Sequence, residues 1–505
     1  MPKALRLLSD THLELTDASL PEVCKRLSRP AYDRAGLSPS IVHIGVGGFH
    51  RAHQAVYLDE LACRGISTDW GVVGAGLHGR KMKEALEQQA CLYTVVERGA
   101  DREQARVVGS MLDYLYAPDD SPKLRRRLAD PNTRIVSLTI TGNGYHLVRE
   151  TGELDDSCPQ IVGDLANPDH FATAVGYLVD ALRCRRHAGT PPFTVLSCDN
   201  IPDNGVAAQR AVVRFAELRD PELARWIERN VSFPSTMVDR ITPRTTPSDR
   251  VMVEKRFGIV DRWPVLTEPF SQWVIEDNFC NGRPPLEEVG VDFVTDVAPH
   301  KLAKTRLLNG AHCALGVIGG LLGHETTDQA MNDHLVSRYI EQLLCVEISP
   351  LVPPVNGLDL GQYCNTLLER FANPKIGDQL SRLRARGSTK FPSYLLPSLN
   401  EARQQGRPST LLIVAVAAWM CVLRGTDSQG RTMDIEDARS DELRALAPRG
   451  SDPRPLLDLA DVFGSLGEDA VLAAELEGCI RAIDREGLRR VLGQSARRFE
   501  TGASA

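Results

Sequence analysis

The pattern of apolar and polar positions changes character near residue 295. Before it, short apolar runs bounded by turn residues read as buried strands: Ser40 to Val46, Trp70 to Ala75, Leu92 to Val96, Arg134 to Ile140 and Phe193 to Ser197. Helical patterns lie between several of them, notably over 80–89 and 170–185. Strands alternating with helices predict a mostly parallel sheet covered on both faces. Residues 1–38 are polar and irregular, and read as an arm wrapping this first domain. Beyond, helical periodicity dominates over 300–323, 334–348, 359–371, 376–385, 408–424, 433–446 and 469–492, with loops such as Ser349-Pro-Leu-Val-Pro-Pro354 between. The boundary falls in or near Val289 to Pro299, which divides the chain into 1–295 and a mainly helical 296–505. The sequence contains no internal repeat and no low-complexity tract.

The stretch Lys304-Thr-Arg-Leu-Leu-Asn309-Gly-Ala-His312 opens the helical part and reads as one amphipathic helix. At about 100° per residue, Asn309 sits roughly 140° and His312 roughly 80° round from Lys304. A lysine, an amide and an imidazole then project into one sector, while Leu307, Leu308 and Leu315 supply packing. A base, a hydrogen-bond donor and a second titratable group converging on one point suit proton abstraction from an alcohol. The competing reading is a solvated helix face with Asn309-Gly310 as its stop. Because the motif starts the second domain, its side chains are expected to face an interdomain cleft, a common location for small-molecule sites.

In the first domain the strand ending at Val46 enters Gly45-Val-Gly47-Gly48-Phe-His50-Arg51, and a helix follows through Ala52 to Cys63. Strand, glycine turn and helix in that order can hold a pyrophosphate, since the backbone approaches closely and the helix start favours an anion. The full dinucleotide fingerprint wants a third glycine where this chain has His50. His50 and His53 have an H-x-x-H spacing, but no third or fourth ligand is evident. Polar contacts around the cofactor or core are the favoured reading, and no metal is expected. Ser197-Cys-Asp199-Asn200-Ile-Pro-Asp-Asn204-Gly205 follows a strand, and ligands of open α/β sheets bind beyond the carboxyl ends of strands. Asn200 can reach such a site; Asn204-Gly205 reads equally well as a plain turn.

Composition narrows the class. With 42% hydrophobic and 25% charged residues over 505 positions, the chain reads as an ordinary soluble protein of two or three domains. A net charge of −7 argues against nucleic acid as the main partner. Twelve scattered cysteines with no CxxC suit reduced thiols in a cytoplasm. Met1 to Glu14 lacks a signal-peptide core, and the apolar run Leu411 to Leu423, about 13 residues, is too short to span a bilayer. It is expected to be a buried helix.

Taken together, Ile44-Gly-Val-Gly-Gly-Phe-His-Arg-Ala-His-Gln54, Ser197-Cys-Asp-Asn200, Met237-Val-Asp-Arg-Ile-Thr-Pro243 and Lys304-x4-Asn309-x2-His312 resemble the polyol-specific long-chain dehydrogenases. The similarity runs from about Arg29 to Pro448, through Gln272-Trp-Val-Ile-Glu-Asp277, Glu369-Arg-Phe-Ala-Asn-Pro374 and Leu396-Pro-Ser398. Several motifs in order are far more specific than any one of them. The resemblance implies an expanded Rossmann-type dinucleotide-binding α/β domain followed by a mainly α-helical C-terminal domain. It implies metal-independent, NAD(P)-dependent interconversion of a linear polyol and its ketose, D-mannitol and D-fructose leading, in a monomer. D-arabinitol, D-sorbitol and mannonate/fructuronate are sibling substrates, and a catalytically silent dinucleotide sensor is the reading from another class. An intact Lys304, Asn309, His312 and Asn200 set argues against the sensor, which needs no base.

The resemblance further implies roles. Lys304 is the general base, Asn200 and Asn309 donate to the oxygen whose charge develops, and His312 orients a neighbouring hydroxyl. Asp239, Arg382 and Lys390 match substrate-contacting positions. Gly45, Gly47, Gly48, Phe49, Arg51, His78 and Arg80 are the cofactor-binding candidates. Two departures stand out. The family commonly has an acidic residue where this chain has Gly142, in Thr141-Gly-Asn-Gly-Tyr145. The loop Gly74-Ala-Gly-Leu77-His78-Gly79-Arg80-Lys81 lacks the acid that NAD-selective sites set on the ribose, so NAD with NADP also usable is expected.

Overall fold

Apolar runs too short for helices become the central strands. The computed structural model describes residues 12–502 apart from 24, 149 and 168, and the chain divides into units 1–297 and 298–505. In the first unit β1 (Ile41–Ile44), β2 (Val72–Gly76), β3 (Met111–Tyr116), β4 (Ile135–Leu138) and β5 (Thr194–Ser197) form one parallel sheet in the order β3-β2-β1-β4-β5. Every residue of β1, β2, β4 and β5 is buried, as a sheet covered on both faces requires. Val42 and Ile44 point into a core with α3 (Ala117–Ala129), α4 (Ala174–Ala188) and α5 (Asn204–Arg219). Ile41 points the other way, against Ala55, Leu58 and Leu61 of α2 (Gln54–Cys63). A five-residue helix, α1 (Gly48–Ala52), precedes α2 and is broken from it at His53 (φ −121°, ψ −88°).

The run expected as a strand over 92–96 does not join this sheet. Tyr93–Arg98 pairs with Glu103–Val108 and Val265–Thr267 in a separate three-stranded sheet. A third sheet holds β6 (Thr236–Asp239), antiparallel to β7 (Gln272–Glu276), with β8 (Asp292–Val294) parallel at its side. The N-terminal arm packs Leu15, Leu20, Val23 and Leu27 against Leu92, Val107 and Ile259. Its first eleven residues lie outside the described residues.

The second unit is helical. α6 (Ala298–Lys304) leads through a π turn (Thr305–Asn309) into α7 (Gly310–Leu321). α8 (His334–Gln342) likewise runs into a π turn (Leu343–Ile348), α9 (Leu360–Phe371) follows, and a third π turn covers Phe391–Leu395. α10 (Thr410–Val422) is buried at every residue from Leu411 on, as its unbroken apolar run predicts. Among the described residues no helix is long and apolar enough to cross a membrane. The helix expected over 433–446 shrinks to Ser440–Leu446. Its first half is pulled out of helix by tertiary bonds: Met433 donates its N–H to Gly425, and the Asp437 carboxylate accepts from the Ser388 N–H at 2.9 Å.

Candidate functional site

The glycine turn is built from unlike glycines. Gly45 has φ +97°, and a β-carbon there would stand 2.3 Å from the Thr139 carbonyl oxygen, so the fold itself demands glycine. Gly47 and Gly48 are different: their β-carbons would meet nothing closer than 3.8 and 3.6 Å. Packing does not require glycine at these two, and their missing side chains leave space over the start of α1. That is the cradle a pyrophosphate needs. Phe49 is half-buried and stacks on His53 at 4.9 Å.

Arg51 does not sit as a cofactor contact should. It is fully buried, its guanidinium held by the carbonyls of Gly47 and Trp263 and set over the Tyr93 ring at 5.2 Å. It supports the turn from behind. The two histidines of the H-x-x-H spacing also go separate ways. His50 stacks on His43 at 3.4 Å, and burial pushes both imidazoles well below their usual range, so both are neutral. The His53 Nε2 bonds the Gln272 carbonyl at 2.9 Å. Among the described residues no three His, Cys, Asp or Glu side chains gather as a metal site requires.

His78 and Arg80 are exposed after β2. This loop carries cations and no carboxylate of its own, and the fold brings carboxylates to it from elsewhere in the chain. Arg80 donates to both oxygens of Asp119 at 2.5 and 2.7 Å, and Lys83 to Asp120 at 2.6 Å. Both acids stand at the start of α3, directly after β3, which pairs with β2. The carboxylate facing Arg80 thus comes from 39 residues away.

At the carboxyl end of β5 the organising group is Asp199. Its carboxylate accepts the N–H of Ile140 at 3.0 Å, the N–H of Thr141 at 2.8 Å and the Tyr145 hydroxyl at 2.7 Å. Burial pushes it above the usual carboxylate range, and these donors oppose the shift. They hold Thr141 in the left-handed half of backbone space (φ +63°). Asn200 follows and is exposed. Asn204 is buried, donating to the carbonyls of Asp199 at 2.9 Å and Thr236 at 3.0 Å. It thereby ties this loop to β6, whose last residue is the buried Asp239. A β-carbon on Gly142 would meet only Ile201, at 3.4 Å, so the fold keeps room for the missing acidic side chain.

In the second unit the expected single regular helix is interrupted. A π turn closes i→i+5, seen in the Gly310 N–H donating to the Thr305 carbonyl. Lys304 and Asn309, five apart, come nearly one above the other, where a regular helix would set them about 140° apart. Nor does the helix stop at Gly310, whose φ and ψ (−62°, −47°) are helical. Glycine is needed there for close approach. A β-carbon would lie 3.2 Å from the Tyr394 carbonyl oxygen and 3.8 Å from both Ile348 and Leu395, so the three π turns meet at this point. Lys304 is buried, Asn309 and His312 half-buried, and the His312 ring leans on Phe371 at 4.8 Å.

Arg382 is exposed and gripped by Asp378, with Nε donating at 2.8 Å. Lys390 donates from Nζ to the carbonyls of Arg382 and Leu383 at 2.8 and 2.9 Å, and burial lowers its pKa to about 8. Both therefore have protein partners, and Lys390 fixes the chain that carries Arg382. Asp199, Asp119 and Phe371 escaped the sequence reading. Asp199 and Phe371 had a signal there, each lying inside a motif already singled out; Asp119 had none.

Residues 39–288 match the mannitol dehydrogenase Rossmann domain and residues 296–484 the mannitol dehydrogenase C-terminal domain. The chain is 40% identical over 500 residues to a mannitol 2-dehydrogenase of Phaeosphaeria nodorum, covering 98% of this chain and 88% of that one. It is 43% identical over 473 residues to a mannitol 2-dehydrogenase of Emericella nidulans, covering 92% and 94%. The solved Pseudomonas fluorescens mannitol 2-dehydrogenase, in ternary complex with NAD and D-mannitol, aligns with a TM-score of 0.83 at 40% identity over 96% of this chain and 100% of that one. A D-sorbitol dehydrogenase in substrate-free form aligns at 0.89 with 35% identity, over 95% and 100%.

Proposed function

This chain belongs to the mannitol dehydrogenase family, and from that premise we propose that it interconverts D-mannitol and D-fructose with NAD as cofactor. The observation that supports this chemistry is the π turn between the buried Lys304 and Asn309, whose wider winding favours the two residues sharing one side of the helix. Loss of water around an amine favours its neutral form, the form a general base needs. Lys304 takes the hydroxyl proton of the polyol and, in reverse, returns it to the ketose oxygen. Asn309 and Asn200 donate N–H bonds to that oxygen as it gains charge. His312, steadied by Phe371, holds the hydroxyl beside the reacting carbon. Asp239, Arg382 and Lys390 shape the rest of the polyol site, Lys390 by positioning the chain around Arg382.

Gly45, Gly47 and Gly48 form the pyrophosphate turn, Phe49 flanks it, and Arg51 braces it from below. When bound, NAD+ supplies the carbon that accepts the hydride. The Arg80–Asp119 pair neutralises the cation that would welcome a 2′-phosphate, which supports NAD over NADP. The described cysteines are all free thiols, consistent with a reducing compartment, and we place the enzyme in the cytoplasm as a monomer.

The test is NADH formation across D-mannitol, D-sorbitol, D-arabinitol and D-mannonate. D-Mannitol should give the highest kcat/KM, and Lys304→Ala should lose about 10²–10⁴-fold in kcat with NAD affinity within a few-fold. A higher kcat/KM for D-sorbitol or the sugar acid overturns the substrate. A Lys304→Ala enzyme keeping more than about a tenth of kcat overturns the base.

A further inference from the structure

On the side of the parallel sheet that α2 covers lies a small cavity. Its walls are mainly apolar, with Ile41, Ile135 and Leu196 contributed by the sheet. Four polar side chains also line it: His50, Gln54, Ser137 and Trp273, each no more than 4% exposed. Both ring nitrogens of His50, both amide atoms of Gln54 and the indole nitrogen of Trp273 are buried there without a hydrogen bond among the described residues. Gln54 stands beside His50 and favours its charged form, but no hydrogen bond of ordinary geometry joins the two. Five orphaned polar atoms around one space need an explanation, because buried polar groups are almost always bonded to protein or to ordered water.

One of the four lining groups leads to the glycine turn. Ser137 Oγ is 2.8 Å from His43 Nδ1, His43 Nε2 is 2.9 Å from Thr139 Oγ1, and the Thr139 hydroxyl donates to the Gly45 carbonyl at 2.8 Å. Burial holds His43 neutral, so its ring carries a single N–H. Thr139 gives its one proton to a carbonyl that can only accept. The His43 N–H is therefore at Nε2, and Nδ1 accepts from the Ser137 hydroxyl. Donation runs one way, from Ser137 to His43 to Thr139 to Gly45, and the Ser137 oxygen is left able only to accept from the cavity. His50 lies flat on the same His43 ring, with centroids 3.4 Å apart and planes inclined by 11°.

We propose that this cavity binds a water molecule, and that the water together with Ser137, His43 and Thr139 forms a column that positions the pyrophosphate turn. The room fits: about 20 Å³ is open to the centre of a water-sized sphere, where one water needs roughly 10–15 Å³. The chemistry fits as well. Trp273 Nε1 offers only a donor, Ser137 only an acceptor, and Gln54 and the neutral His50 offer both. A water can accept from two of these donors and donate to two of these acceptors. A cation would meet the donors head-on, and a larger ligand has no space. His43, Ser137 and Thr139 are positioning residues, acting through the Gly45 carbonyl and not on the dinucleotide itself. Gly45, with φ +97°, begins the turn, so a tilt of its carbonyl is passed on to Gly47 and Gly48. The bearing on NAD rests on the function proposed above; the water site does not.

The experiment has two arms. The first compares Gln54→Leu with wild type in urea unfolding and solves a wild-type crystal structure fine enough to place waters. Leucine is apolar and close to glutamine in size. Around a bound water it removes a partner and the urea midpoint falls; around a dry cavity it removes an orphaned amide and the midpoint rises. The expected result is a lower midpoint, with a water at about 3 Å from Trp273 Nε1 in the crystal. An unchanged or raised midpoint, or a cavity without water density, overturns the water site. The second arm titrates NAD+ without polyol. Thr139→Val keeps the shape and loses the hydroxyl, so the Kd for NAD+ should rise about tenfold while kcat at saturating NAD+ stays within about twofold. Thr139→Ser keeps the hydroxyl and should bind NAD+ like wild type. A wild-type Kd in Thr139→Val, or an equal loss in Thr139→Ser, overturns the column. A wild-type enzyme that binds NAD+ but oxidises no polyol refutes the proposed substrate and leaves both arms standing. One that binds no NAD+ refutes the cofactor and the column together, while the first arm still decides the water site.

Discussion

Replacing Asp199 with asparagine tests whether one buried carboxylate holds the loop between β4 and β5. Its three donors are the N–H groups of Ile140 and Thr141 and the Tyr145 hydroxyl, at 3.0, 2.8 and 2.7 Å. The first and third share one oxygen, which the asparagine carbonyl can replace. The Thr141 N–H must then face an NH₂ group, donor against donor. Losing a bond to a charged acceptor costs about 1.5–3 kcal/mol. Removing a charge that burial already disfavours returns part of that, so a net loss of about 1–2 kcal/mol is expected. The assay is urea unfolding at pH 7, where the midpoint should fall with the slope unchanged.

The functional effect should exceed the stability effect. Thr141 occupies a strained backbone region, which costs of order 1–3 kcal/mol, and Asp199 is what retains it. Relaxation there shifts Asn200, the next residue along from Asp199. Misplacement of a positioning group by about 1 Å can cost up to 10²-fold, so kcat should drop at least about tenfold while KM for NAD+ stays near wild type. The pH dependence gives an independent check. The folded pKa of Asp199 is raised, so its contribution is fully present at acid pH and is lost as pH rises through the folded pKa; the asparagine variant should lack that decline. An Asp199→Asn enzyme with wild-type midpoint and kcat would refute the reasoning.

Asn309→Ala and Asn200→Ala should each lower kcat by about 10²–10³ in both directions, read by steady-state kinetics with polyol and ketose; a change confined to KM would make them simple substrate binders. Asp119→Ala frees the Arg80 cation, and because the pair is exposed the gain is about 1 kcal/mol, so kcat/KM for NADP+ should rise about fivefold at low salt; no rise would place the pair away from the ribose. Glu347 accepts the N–H groups of Leu411 and Leu412 at the start of α10, both at 2.9 Å, yet burial raises its pKa from 4.5 to about 7. Its stabilising contribution is present below about pH 4.5 and lost as pH rises through about 7, so Glu347→Gln should flatten the pH dependence of unfolding across that window, and an unflattened profile would show that another group governs it.

The sequence by itself determined those features whose cause is local or periodic. Ile41–Ile44 running into Gly45 was readable because an apolar run of that length is a buried strand and a glycine at its end is a turn. The α/β fold followed by a helical unit was readable for the same reason, as was the burial of α10, whose every face is apolar. What only the tertiary structure decided is non-local or breaks a period. Strands β6 to β8 run three to five residues each, too few for alternation to register. A template of 3.6 residues per turn cannot show the extra residue of a π turn, so the alignment of Lys304 with Asn309 was misjudged by most of a quadrant or more. The carboxylate facing Arg80 comes from the next strand's helix, and Arg51 is a charge whose partners are main-chain carbonyls. Sequence records which side chains carry chemistry, but the direction each one faces depends on long-range packing that spacing along the chain does not encode.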